Sequence, residues 1–272
     1  MLRCLYLDLD GTLLGRGGSL LHDGEGGISL LGARAVEACL RADVEVVLMS
    51  GRRKATMAEN ARLIGATSYI YEAGSVLVFE GEEHLLTGSH GRGSVSVHDE
   101  IRDSGAPAML LERYAGRLEY HEPWHVGREF SHLLRGQVDV GEVDGVLAGE
   151  GHGDLRLLDN GVVARRSAGL AGCDHVRSYH LLPAGASKAM GVAAHQAARG
   201  LHRSETIGVG DSREDLGTAG YVGEFWLVAN AVEKDPSLSG AIGGRPNVRV
   251  AQGAHGQGVY EAVVTTLMRR RG

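Results

Sequence analysis

The sequence predicts an α/β protein: a parallel sheet flanked by helices, with a mixed module inserted into its middle. Two observations predict it. Short apolar runs alternate with helical stretches over residues 1–75 and again from residue 187 onward, the pattern of strands crossing over through helices. Between these flanks the pattern changes to closely spaced strand pairs and turn residues, which suits antiparallel pairing instead.

The elements follow in order. Residues 2–9 form a short, mostly apolar run that reads as a buried strand. Residues 30–42 read as a helix, 44–49 as a second strand, 54–64 as a helix and 69–71 as a third strand. Residues 76–79, a Gly/Glu turn and residues 85–86 look like a hairpin. From 88 to 166, a helix at 108–114 mixes with short strands at 155–158 and 162–164. Asp159-Asn160-Gly161 between those two strands carries the signature of a hairpin turn. The alternation then returns, with a helix at 188–199, a strand at 206–209, a loop and helix, strands at 225–228 and 248–250, and a last helix at 258–270. The expected organisation is a core of residues 1–75 and 184–272 with an inserted domain at 76–183.

Composition narrows the function classes. The chain has 272 residues, a formal net charge of −6, 43% hydrophobic and 23% charged residues. That suits one large or two small domains of ordinary globular character. Mild acidity and only 5% aromatics argue against nucleic-acid binding, which needs a basic stripe or stacking platforms. The basic run Arg269-Arg270-Arg271 reads as a solvated helix end. Cys4, Cys39 and Cys173 are odd in number and form no CxxC pair, so reduced thiols and a cytoplasmic setting are expected. No apolar stretch is long enough to span a bilayer, and Asp8 and Asp10 interrupt any signal-peptide core. The 42 glycines have no period and indicate many tight loops.

Four segments carry chemistry, each where a strand ends, and ligands of open α/β sheets bind beyond the carboxyl ends of strands. In Asp8-Leu9-Asp10-Gly11-Thr12, two carboxylates lie two residues apart. One can serve as nucleophile and metal ligand, the other as proton donor and then base, although an acidic capping turn has the same look. In Met49-Ser50-Gly51-Arg52, a hydroxyl and neighbouring N–H groups at a helix start can hold a phosphate oxygen, or Ser50 is a plain N-cap. Lys188 sits in the first turn of a helix, where a cation opposes the helix dipole; it either serves an anionic partner or is solvated. In Gly208-Val209-Gly210-Asp211-Ser212-Arg213-Glu214-Asp215, Asp211 and Asp215 are hard ligands one helical turn apart, suited to Mg²⁺, or Asp211 caps a helix.

The order of all four together resembles the haloacid dehalogenase superfamily of phosphohydrolases, on the motifs DLDGT, SGR, a helix-start lysine and GDSREDL over roughly residues 1–75 and 184–272. The resemblance implies a Rossmann-like doubly wound core with a type II α/β cap of subgroup IIB, the Cof-like sugar phosphatases. It implies that Asp8 attacks phosphorus, that Asp10 is general acid and then base, and that Ser50, Gly51 and Lys188 bind the phosphoryl oxygens. Asp8, the Asp10 carbonyl and Asp211 would hold Mg²⁺, and Asp215 would orient the metal shell or Lys188. Two departures stand out: Glu214 replaces a frequent Asn, and Glu72-Ala73-Gly74 replaces Glu-Asn-Gly. Hinges are expected near Gly74 and the 182–183 region.

A type II cap implies a small phosphorylated metabolite as partner: a sugar phosphate, phosphoglycolate or a glycosyl-phosphoglycerate. Arg52 is expected nearest the phosphate, while Arg53, His125, Arg128 and His152 are further groups that could reach a substrate. The same residues would also serve a phosphotransferase or phosphomutase, or a non-catalytic phosphometabolite-binding protein.

Overall fold

The structure, a computed structural model, describes residues 1–163 and 167–271, the side chains of 270 and 271 excepted. Its larger sheet has eight strands: β1 (Cys4–Asp8), β2 (Glu45–Met49), β3 (Ser68–Tyr71), β4 (Val76–Phe79) and β5 (Glu82–Leu85), then β10 (Thr206–Gly210), β11 (Glu224–Leu227) and β12 (Val248–Val250). Their order is β12-β11-β10-β1-β2-β3-β4-β5. The strands from β12 to β3 are parallel, and β4 and β5 add antiparallel. The second sheet, all antiparallel, has the order β6-β7-β9-β8, with β6 (Leu118–Tyr120), β7 (His132–Gly136), β8 (Leu155–Val162) and β9 (Arg177–Pro183).

Side chains alternate across a strand, and β1 shows why the large sheet is covered on both faces. Leu5 and Leu7 join a core that includes residues of α1 (Leu31–Arg41), α2 (Lys54–Ile64) and the final helix. Cys4 and Tyr6 face the other way, into a core with Val192, Ala219 and Phe225. The second sheet is backed on one face by α3 (Val97–Asp103), α4 (Ala106–Arg113) and α5 (Val140–Gly149), through Ile101, Leu110 and Leu147 against Leu134, Tyr179 and Leu181. The remaining helices belong to the core: α6 (Lys188–Arg199), α7 (Arg213–Leu216), α8 (Ala229–Lys234), α9 (Leu238–Ile242) and α10 (His255–Arg271). Among the described residues, no helix is long and apolar enough to cross a membrane.

Two expectations are corrected. The 76–85 hairpin, assigned from sequence to the inserted domain, hydrogen-bonds to β3 and extends the large sheet; Val76 and Val78 are buried and fill the core edge. The separate sheet therefore lies between segments 86–96 and 184–187. Second, Asp159-Asn160-Gly161 is no turn. It lies inside β8, where a bulge between Asp159 and Val162 takes up the irregularity against β9; Arg177 of β9 pairs with the Asp159 carboxylate at 2.7 Å. Ala164 of the expected strand lies outside the described residues. In the basic run, Arg269 pairs with Glu224 at 3.2 Å and lies over Trp226 while its side chain stays exposed. All three cysteines are buried.

Candidate active site

Register sets the site. Asp8 lies beside Met49 on β2, one residue before Ser50. Leu7 lies beside Val209 on β10, two residues before Asp211. The carboxyl ends of these three strands therefore bring the first, second and fourth motifs side by side. The third arrives with α6, whose N-cap Ser187 accepts a hydrogen bond from Met190 N. Gly74 makes the approach of α6 possible: a Cβ there would overlap the Ser187 carbonyl, and its φ is +94°.

Lys188 is buried, and its Nζ donates to Asp8 Oδ1 at 2.7 Å and to Asp215 Oδ1 at 2.7 Å, with Glu214 Oε2 at 3.4 Å. A solvated lysine is thereby excluded. Burial works against its charge, but Asp215, Asp8 and Glu214 outweigh it and hold its pKa well above the ordinary value. The carboxylates outnumber this ammonium, so they shift too. Burial first, then Asp215 and Asp211, push the Asp8 carboxyl well up. Burial pushes Asp211 up to about 6 against Lys234 and Lys188, and Glu214 up to about 7 against Lys188.

Asp215 organises motif four. Its Oδ2 accepts from Asp211 N at 3.2 Å, Ser212 N at 3.0 Å and Ser212 Oγ at 2.6 Å, while Ser212 caps α7. Asp211 is thus left uncommitted to a cap; Thr12 Oγ1 and Lys234 Nζ each reach it at 3.4 Å. Asp8, Asp211 and Asp215 each offer a carboxylate oxygen, all within 4.8 Å of one another. Crowded and short of positive charge, with Asp8 and Asp215 buried and Asp211 partly so, this all-oxygen cluster fits a hard divalent cation; both Asp215 oxygens already accept hydrogen bonds, which leaves Asp8 and Asp211 as the carboxylates to hold it. The Asp10 carboxylate stands outside the cluster. Arg52, expected at the substrate phosphate, grips that carboxylate instead, with Nε–Oδ2 at 2.7 Å and Nη2–Oδ1 at 2.6 Å.

Ser50 is buried and is not the cap of α2, which is Arg53; its Oγ accepts from Arg52 N at 3.2 Å. Asp8, Asp10, Ser50, Gly51, Lys188, Asp211 and Asp215 all line one cavity of about 760 Å³. Arg52, Arg53 and Arg128 line it as well, whereas His125 and His152 do not.

Sequence reasoning missed several contributors. Asn230, at the start of α8, is buried and donates to the Gly11 carbonyl at 2.8 Å, fixing the motif-one loop. Glu214, noted only as a departure, accepts the Lys188 backbone N–H at 2.7 Å. Glu72 is fully buried and ties the two sheets together, accepting from Glu129 N at 2.9 Å, Phe130 N at 3.1 Å and Ser131 Oγ at 2.8 Å. The chain turns there through three successive positive φ values, Glu72 +43°, Ala73 +55° and Gly74 +94°, strain of the kind that collects at functional sites. From the second sheet, His121, Ser178, Asn160 and His180 reach the cavity. One signal was available: the EAG tripeptide already marked a departure at the seam.

No protein-family model matches the sequence. A phosphoglycolate phosphatase of Halorubrum lacusprofundi is 27% identical over 236 residues, covering 84% of this chain and 84% of that protein. Among solved structures, the sucrose-phosphatase of Synechocystis sp. PCC6803, crystallised with sucrose and phosphate, superposes with a TM-score of 0.66 at 17% identity, over 97% of this chain and 98% of that one. A haloacid dehalogenase-like hydrolase from Bacteroides thetaiotaomicron gives a TM-score of 0.62 at 15% identity, over 98% of this chain and 100% of that one. The structural matches carry the fold, which this chain shares with haloacid dehalogenase-like hydrolases, and the sequence match over most of the chain makes it similar to phosphoglycolate phosphatases.

Proposed function

We propose that this chain is a Mg²⁺-dependent phosphatase that hydrolyses a small phosphomonoester through an aspartyl-phosphate on Asp8. The observation that carries this reading is the 2.7 Å contact of Lys188 with Asp8 inside a buried carboxylate cluster that lines the cavity.

In the first half-reaction an Asp8 oxygen attacks phosphorus, the bond to the leaving oxygen breaks, and Asp10 gives that oxygen its proton. In the second, Asp10 takes a proton from water, the water oxygen attacks phosphorus, and phosphate leaves with Asp8 restored. Ser50, the Gly51 N–H and Lys188 bind the phosphoryl oxygens. Positioning and charge are most of what such a transfer needs. Asp8, Asp211 and the Asp10 carbonyl would hold Mg²⁺, which when bound neutralises charge on the phosphoryl oxygens and the crowded carboxylates. Asp215, with both oxygens engaged, would hold Lys188 and the Asp211 loop in place. Arg52 would keep Asp10 oriented until substrate arrives. The second sheet would act as a type II cap that closes over the substrate and limits water.

The substrate range is a sugar phosphate, phosphoglycolate or a glycosyl-phosphoglycerate, supported by the phosphoglycolate phosphatase relative and the sucrose-phosphatase neighbour. The test is phosphate release from a panel of small phosphoesters with and without Mg²⁺. Release that requires the metal supports the proposal; no release from any ester contradicts it.

A further inference from the structure

His180 lies in the middle of β9, between Leu133 of β7 and Leu158 of β8, on the face of the second sheet that meets the core. It is fully buried yet lines the cavity. Its tautomer follows from its neighbours. Glu72 takes two backbone N–H groups and is an acceptor, so the single Ser131 hydroxyl proton goes to Glu72 Oε2 at 2.8 Å. Ser131 Oγ must then accept from His180 Nδ1, 3.1 Å away. Burial, with Arg128, Lys188 and His121 nearby, drives the His180 pKa well below its ordinary value, so the ring is neutral. Nε2 is therefore a bare acceptor, and among the described residues it has no hydrogen-bond partner. A buried acceptor left unmade costs roughly 1–3 kcal/mol, and such a group calls for an explanation.

Nε2 lies over Gly51: a Cβ at residue 51 would stand 2.7 Å from it. Arg128 converges on the same glycine. Its guanidinium is buried, donating through Nη1 to Gly51 O at 2.9 Å and through Nε to Trp124 O at 3.1 Å. Among the described residues it has no ion-pair partner. A neutral acceptor and a cationic donor thus meet beside the loop proposed to bind phosphate. A hydroxyl satisfies both, because it donates and accepts. A carboxylate satisfies only Arg128 and sets its own lone pairs against Nε2.

We propose that His180 and Arg128 form a hydroxyl-reading subsite, so that the preferred substrate is a phosphomonoester with free hydroxyls on its leaving group and not phosphoglycolate. The proposal rests on the phosphatase reading above and selects within its substrate range. A cavity of about 760 Å³ agrees, since that volume belongs to ligands well above a two-carbon acid in size.

The test compares kcat/KM for a panel of hexose and pentose phosphates with kcat/KM for 2-phosphoglycolate, in Mg²⁺. The wild type is expected to favour at least one sugar phosphate by about tenfold or more, since sites built to bond a hydroxyl reject analogues lacking it. His180→Phe is expected to collapse that ratio by about tenfold, and His180→Gln, which keeps an acceptor, to retain most of it. A wild-type preference for phosphoglycolate overturns the proposal, as does a ratio unchanged in H180F. Should H180F fail to fold, the wild-type ratio and that of H180Q decide; a ratio in H180Q reduced as far as removal of the acceptor requires contradicts the acceptor role. Hydrolysis of p-nitrophenyl phosphate without any sugar-phosphate preference sinks this inference alone, whereas absence of all phosphoester hydrolysis sinks the phosphatase reading as well.

Discussion

Lys188 and Asp8 are 180 positions apart in sequence, and their side chains meet at 2.7 Å in the interior. The large sheet is why. Its first strand is central, and the chain leaves it, builds a second sheet and returns with α6 packed beside β4 and the Glu72–Gly74 turn. Carboxylates outnumber cations in this pocket, with Asp8, Asp211, Glu214 and Asp215 facing Lys188 and Lys234, and that excess of negative charge generates several of the expectations below.

Removal of metal is expected to abolish turnover while leaving the protein folded, because Lys188 and Lys234 partly compensate the carboxylates. Dialysis against a chelator, then titration with Mg²⁺, should restore phosphate release with saturable dependence. Full activity in the presence of chelator would contradict a metal role for Asp8 and Asp211.

Glu214 sets a pH effect on stability. Its folded pKa is raised from 4.5 to about 7, so the folded state holds a proton that the unfolded state has released. That contribution is fully present below 4.5 and is lost as pH rises through about 7. Glu214→Gln should therefore gain stability over the parent with rising pH across this window, by on the order of 2 kcal/mol in metal-free protein. Urea unfolding at a series of pH values measures the difference; a gap that does not change with pH would contradict the raised pKa.

Arg52 is expected to matter through Asp10. Arg52→Ala should lower kcat/KM by about 10–100-fold, within the range for proton-transfer groups. Arg52→Lys should recover only part, since an ammonium cannot grip both carboxylate oxygens in one plane. Steady-state kinetics of the two variants check this, and wild-type values in R52A would remove Arg52 from the site.

Glu72 joins the two sheets. Glu72→Ala leaves the N–H groups of Glu129 and Phe130 and the Ser131 hydroxyl without their buried acceptor, at a cost of roughly 2–4 kcal/mol. The predicted signature is a lower urea midpoint together with faster proteolysis in the 86–96 segment. An unchanged midpoint would show that the seam does not depend on this carboxylate.

Local signals made the core readable. Helices 54–64 and 188–199 fall where the sequence placed them, because glycine in the left-handed conformation ends each one, at Gly65 and Gly200. The four motifs were legible for the same reason: each is a few residues long and follows a buried strand. The second sheet was less legible. In β9, Ser178 and His180 face the cavity while Tyr179 and Leu181 face apolar residues, so the strand lacks a clean apolar signature. Asp159-Asn160-Gly161 has turn chemistry that tertiary pairing with Arg177 overrides. The hairpin at 76–85 was seen but assigned to the wrong sheet, since sequence alone does not say which edge a strand will join. His180 gave no signal at all, being one of 13 histidines; only the Glu72–Ser131 chain behind it sets it apart.

The most direct test is the turnover of Asp8→Asn beside the wild type, on the best ester from the phosphatase panel and in saturating Mg²⁺. Asparagine keeps the shape and a partner for Lys188 but cannot form the acyl phosphate. The account predicts a loss of at least about 10³-fold in kcat, the scale of removing a catalytic nucleophile, with the thermal transition preserved. Wild-type turnover by that variant would contradict it.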